Sequence, residues 1–117
     1  MSIDNTIEKE IKNLEKCREK WGMEKRDFAK LIGCDENSYN DLISGKSKWD
    51  VESARNANLM LETDYALSKF YDNPAEIRTY LRSRQKLLNG EKPLNLLMSP
   101  LFDDKTKVYQ SLEQLNI

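Results

Sequence analysis

Apolar residues recur every three to four positions along almost the whole chain, and nowhere do they alternate with polar residues over a strand's length. Ile7, Ile11, Leu14 and Trp21 are spaced by 4, 3 and 7, which puts them on one face of a helix. Only 4 glycines and 3 prolines interrupt 117 residues, and β-branched residues do not cluster as strands need. An all-α fold follows. The interruptions then divide the chain into helices. Asn5 and Glu8 have the spacing of a capping box for the first, and Gly22 ends it. A second helix is expected over about 24–32, carrying Phe28, Ala29, Leu31 and Ile32, with Gly33 as its stop. Asp35 caps a third, about 36–43, with Tyr39, Leu42 and Ile43 facing inward. Residues 44–48 form a loop. Asp50 caps a fourth helix bearing Val51, Ala54, Ala57 and Leu61, which either continues through Tyr65, Leu67 and Phe70 or breaks near Thr63.

The second half has its own punctuation. Asn73, Pro74 and Glu76 combine a cap, a first-position proline and a reciprocal glutamate, starting a helix through Ile77, Tyr80, Leu81 and Leu88 that ends at Asn89-Gly90. Pro93 opens a short helix with Leu96 and Leu97. Ser99 and Pro100 form a further cap pair for a last helix lined by Leu101, Val108, Leu112 and Leu115, with Asp103 and Asp104 in its first turn, where the helix dipole favours them. With no linker composition in between, the two halves are expected to pack together.

Composition removes several functions. There is no histidine, so His-ligated metals and His-dependent catalytic triads are excluded. Cys17 and Cys34 are too few for a disulfide framework and read as reduced thiols near the core. No glycine-rich phosphate loop is present. Neither an enzyme nor a cofactor is expected. Nineteen basic and twenty acidic residues give a net charge of −1, which leaves DNA binding to a local patch. The start lacks the basic flank and apolar stretch of a signal peptide, and no apolar run approaches the ~20 residues of a membrane span. A cytoplasmic protein without membrane partners is expected.

The stretch from Gly22 to Gly45 sets two short helices across a tight turn at Gly33, with small Ala29 where they cross. These residues resemble the Xre family of lambda-repressor-like helix-turn-helix proteins over about residues 12–61; a plain helical hairpin is the alternative. The resemblance implies that Glu36, Asn37, Ser38 and Asn40 face the major groove, beside Asp41. The amides of Asn37 and Asn40 suit adenine, and Glu36 suits a cytosine amine. Lys25, Lys46 and Lys48 would meet phosphates, which position without specifying. Residues 1–63 hold 11 basic and 13 acidic side chains, so useful affinity would need two copies, and a homodimer is expected.

Residues 80–97, Tyr-Leu-Arg-Ser-Arg-Gln-Lys-Leu-Leu-Asn-Gly followed by Glu-Lys-Pro-Leu-Asn-Leu-Leu, resemble the toxin-binding domain of the MbcA/ParS/Xre antitoxins. The likeness covers about residues 54–117. It implies a DNA-binding domain over 1–63 continuous with a small helical toxin-binding domain over 64–117. It implies in turn an antitoxin of a type II toxin-antitoxin system that represses its own operon. The cognate protein toxin would be of the RES type, which degrades NAD, and operator DNA would be the second partner. Arg82, Arg84, Gly90 and Pro93 are the toxin-binding candidates, with Gly90 turning the chain so that Leu96 and Leu97 meet Tyr80 and Leu81. The other reading is a stand-alone phage- or plasmid-like regulator with a helical dimerisation tail.

Overall fold

The computed structural model describes residues 3–115, with side chains from residue 9 onward. Seven α-helices follow in order: α1 (Ile3–Lys20), α2 (Lys25–Ile32), α3 (Glu36–Ile43), α4 (Val51–Phe70), α5 (Pro74–Leu81), α6 (Pro93–Leu97) and α7 (Phe102–Leu115). A 3-10 turn, Lys86–Leu88, lies between α5 and α6. Among the described residues the only β pairing is an isolated antiparallel bridge between Gln85 and Glu91. The fold is all-α, and among the described residues no helix is long and apolar enough to cross a membrane.

Three helix starts, those of α3, α4 and α5, use the capping chemistry in the sequence. The Asp35 carboxylate accepts from Ser38 N at 2.8 Å and that of Asp50 from Ser53 N at 2.7 Å. Asn73 and Glu76 close a reciprocal box, Asn73 accepting from Glu76 N at 3.0 Å and donating to its carboxylate at 2.8 Å. The Asn5 and Glu8 side chains lie outside the described residues, and α1 already begins at Ile3.

Helix α4 is the spine. It continues without a break through Thr63, whose hydroxyl turns back onto Leu59 O at 2.7 Å, and it packs on α1, α2 and α7. The 63/64 boundary between the expected halves therefore falls inside one helix. A single apolar cluster runs from Leu14, Trp21 and Phe28 through Met60 and Leu67 to Leu81, Leu97 and Leu112. Trp21, Phe28 and Tyr39 form an edge-to-face series, with ring centroids 6.2 and 5.9 Å apart, that ties α1, α2 and α3 together.

Two expected elements differ. The helix starting at Pro74 stops at Leu81 instead of reaching Asn89. Ser83 donates to Thr79 O at 2.6 Å and Gln85 to Tyr80 O at 3.3 Å, so side chains satisfy the last carbonyls that another helical turn would have used. Asn89 (φ 57°) and Gly90 (φ 82°) are both left-handed, and Glu91 N bonds Leu88 O at 3.1 Å. That is a primed β-turn closing the Gln85–Glu91 bridge, for which Asn-Gly is the favoured pair. Helix α7 begins at Phe102, after Ser99 has accepted from Leu101 N at 3.1 Å and donated to Asp104 at 2.7 Å. Leu101, Leu115 and Val51, expected on apolar faces, are 62%, 48% and 86% exposed.

Candidate functional site

Two faces carry the candidate residues. The first is built on α2, the three residues 33–35 and α3. Gly33 (φ 90°) lets its own N–H and that of Cys34 return to Ala29 O, closing α2 in a left-handed cap. Ala29 is fully buried. From behind, Asn56 of α4 donates to Ile32 O at 3.0 Å, and a Cβ on Gly33 would lie 2.9 Å from that amide nitrogen. Within α3, Tyr39 and Leu42 turn inward, which leaves Glu36, Asn37 and Ser38 exposed and Asn40 partly exposed one turn on. The Asp35 carboxyl is held below its ordinary value by Ser38, through both its backbone N–H and its hydroxyl. That keeps a negative charge at the start of α3.

Lys46 and Lys48 are exposed in the loop after α3, and Lys25 is half-exposed at the start of α2. The loop is anchored, since Lys46 N and Ser47 N both bond Asp41 O at 2.9 and 3.3 Å. None of the three lysines is in an ion pair among the described residues. Burial pushes the Glu15 carboxyl up, but hydrogen bonds from Arg18 and Tyr39 outweigh it and hold the group below its usual range. The Tyr39 hydroxyl thereby pins α3 to α1. All seven expected DNA-facing residues thus reach solvent on the α2, α3 and loop surface.

The second face lies on α5, the primed turn and α6. Arg82 is exposed and donates at 3.3 Å to Gly22 O and to Arg78 O. Arg84 is exposed and donates to Gly90 O at 3.3 Å. Among the described residues neither pairs with a carboxylate. Pro93, expected at the partner surface, is instead buried as the first residue of α6, because α6 folds back and its start fills the core beside Leu97. Gly90 shapes the turn and has no atom within 4 Å of where a Cβ would sit. What a partner could meet here is Arg82 and Arg84. Leu81 and Leu97 are buried and Leu96 is half-buried.

Sequence reasoning did not single out Arg78. Its guanidinium donates to Lys20 O at 3.0 Å, one of the carbonyls left unpaired at the end of α1. Its side chain crosses so close to Gly22 that a Cβ there would lie 2.6 Å from Cδ. Arg78 and Arg18, the latter donating to Met23 O at 2.9 Å, close the turn leading into α2, and the exposed Arg82 adds a longer contact to Gly22 O at 3.3 Å. The second face is therefore wired to the first. No local pattern in the sequence marks Arg78, because its target lies 58 residues away.

Gly22 and Gly90 offer a controlled comparison, since both have positive φ. Gly90→Ala is expected to cost about 1–2 kcal/mol from left-handed strain alone. Gly22→Ala is expected to cost more, because the methyl displaces Arg78 as well. Urea unfolding of both variants checks this, and equal losses would remove the role given to Arg78.

Compared with known proteins, the chain matches no protein-family model and no curated protein.

Proposed function

We propose that this protein is an antitoxin whose first face binds operator DNA as a homodimer and whose second face binds and blocks a cognate protein toxin, of the RES type by resemblance. The observation that carries the reading is the pair α2 and α3. Two eight-residue helices are separated by three residues, with a left-handed glycine in the turn, a fully buried alanine at the crossing and a polar outer face on the second helix. That arrangement suits insertion of α3 into the major groove while α2 crosses the phosphate backbone. The unpaired, exposed Arg82 and Arg84 support the second part, since arginine is enriched at protein interfaces.

Equilibrium binding to the duplex upstream of the protein's own gene and to a random duplex, at several salt concentrations, tests the DNA half. Asn40→Ala is expected to lose about 1–3 kcal/mol on the upstream duplex alone. Lys46→Ala should weaken both duplexes and lower the salt slope by about one. Absence of binding to either duplex by the wild-type chain would overturn the DNA half. Equal losses on both duplexes for both variants would overturn the assignment of base and phosphate contacts.

A further inference from the structure

Helix α4 is buried on one side and carries exposed apolar side chains on the other. Ser53, Asn56, Met60, Thr63 and Leu67 lie on the buried one. On the opposite side Val51, Ala54, Asn58, Leu61 and Tyr65 recur at alternating spacings of three and four, the a and d pattern of a helix that meets another helix. At 86% and 70%, Val51 and Tyr65 are the most exposed of the large hydrophobic side chains among the described residues. Between them, Ala54, Asn58 and Leu61 form one wall of a groove of about 750 Å³, with Ile11 and Trp49 on its other walls. Leu61 is partly buried against the core, but a helix that serves one core needs one apolar stripe, and Val51 and Tyr65 leave apolar area in water that this fold does not cover.

We propose that the outer face of α4 is the contact between two copies of this chain, α4 lying against α4. The inference rests on the homodimer in the functional reading above and names its surface. An interface across a two-fold axis must complement itself, and this stripe does. Counted from Asn58, its apolar members lie seven and four residues before and three and seven residues after. An axis beside Asn58 sets Ala54 opposite Leu61 of the second copy and Val51 opposite Tyr65, each smaller side chain against a larger one. Asn58 then occupies the centre, where one polar residue in an apolar seam fixes the register. The bordering charges are of both signs: Glu62 accepts from Asn58 Nδ2 at 2.8 Å, and Lys69 lies 4.9 Å from the Tyr65 ring centroid. Two copies therefore meet without net repulsion. A single helix pair with the groove edges sits at the small end of specific interfaces, below ~1,200 Å² in total, so the dimer dissociates on dilution.

Sedimentation of the full chain over a wide concentration range tests this. Wild type and the control Lys86→Glu, changed on an exposed residue of the 3-10 turn, are expected to pass from monomer to dimer as concentration rises. Tyr65→Glu and Val51→Glu should each weaken association at least tenfold while keeping wild-type helix content by circular dichroism, since both side chains project into solvent in the single chain. A dimer that both substitutions leave unchanged would overturn the α4 contact and leave the homodimer itself standing. A wild-type chain that stays monomeric at every concentration would overturn both, whether or not it binds DNA.

Discussion

Phe28→Ala is expected to cost about 3–5 kcal/mol, the range for removing a buried aromatic side chain and leaving a cavity. Phe28 is fully buried and is the middle member of the Trp21, Phe28 and Tyr39 series. Its loss removes two edge-to-face contacts, each worth about 0.5–1.5 kcal/mol beyond area burial. Against a total stability of about 5–15 kcal/mol for a domain, that change threatens the fold. The damage should concentrate where α2 and α3 join α1, so DNA binding should fall before the helices of the second half melt. Urea unfolding followed by circular dichroism, with tryptophan fluorescence reporting on Trp21 and Trp49, measures this. A loss under 1 kcal/mol would contradict the central place given to the ring.

A second large effect concerns pH. Lys105 on α7 is 2% exposed and donates to Leu97 O at 2.6 Å, capping a carbonyl at the end of α6. Burial lowers its pKa from 10.5 to about 8, with Asp104 and Glu52 pulling it partly back. Between those two values the unfolded chain binds more protons than the folded one. Stability therefore rises as pH climbs from about 8 toward 10.5, and below pH 8 folding bears the full cost of a buried ammonium, on the order of 3 kcal/mol. Cys17 and Tyr39, both pushed up chiefly by burial, act in the opposite sense above about pH 9. The informative quantity is thus the difference between wild type and Lys105→Met. That difference should shift by about 2–3 kcal/mol in favour of wild type between pH 7 and pH 10. A difference that does not change with pH would contradict a buried, titrating Lys105.

Much of this fold was legible because its helix starts are written locally. Asp35, Asp50 and the Asn73, Pro74, Glu76 set announce three helices within four residues of each start, and the structure uses each. The end of α5 was less legible. Leu87 and Leu88 prolong the helical spacing, whereas Ser83 and Gln85 stop the helix by hydrogen bonds that periodicity does not register. Asn89-Gly90 was a turn signal of its own that the apolar pattern overrode. Val51 and Leu101 fit helical stripes, yet they face water, because spacing names a face without saying what covers it. The candidate surfaces were legible as residue types, and Asn37, Asn40, Lys46 and Arg82 all reach solvent. Pro93 was not, since burial depends on where α6 folds. Lys105 and Arg78 were invisible for the same reason. Their partners, Leu97 O and Lys20 O, are backbone atoms of other elements.

The central claim is that one face of this chain handles DNA and another blocks a toxin. The most direct measurement is growth of cells that express each reading frame adjoining this gene, alone and together with variants of this protein; one such frame is expected to arrest growth when expressed alone. Wild type and Asn40→Ala are expected to restore growth, and the double variant Arg82→Glu, Arg84→Glu to fail while remaining folded by circular dichroism. Both arginines are exposed and make only long hydrogen bonds to backbone oxygens, so the fold should tolerate the change. Full protection by the folded double variant, or loss of protection in Asn40→Ala, would contradict the account.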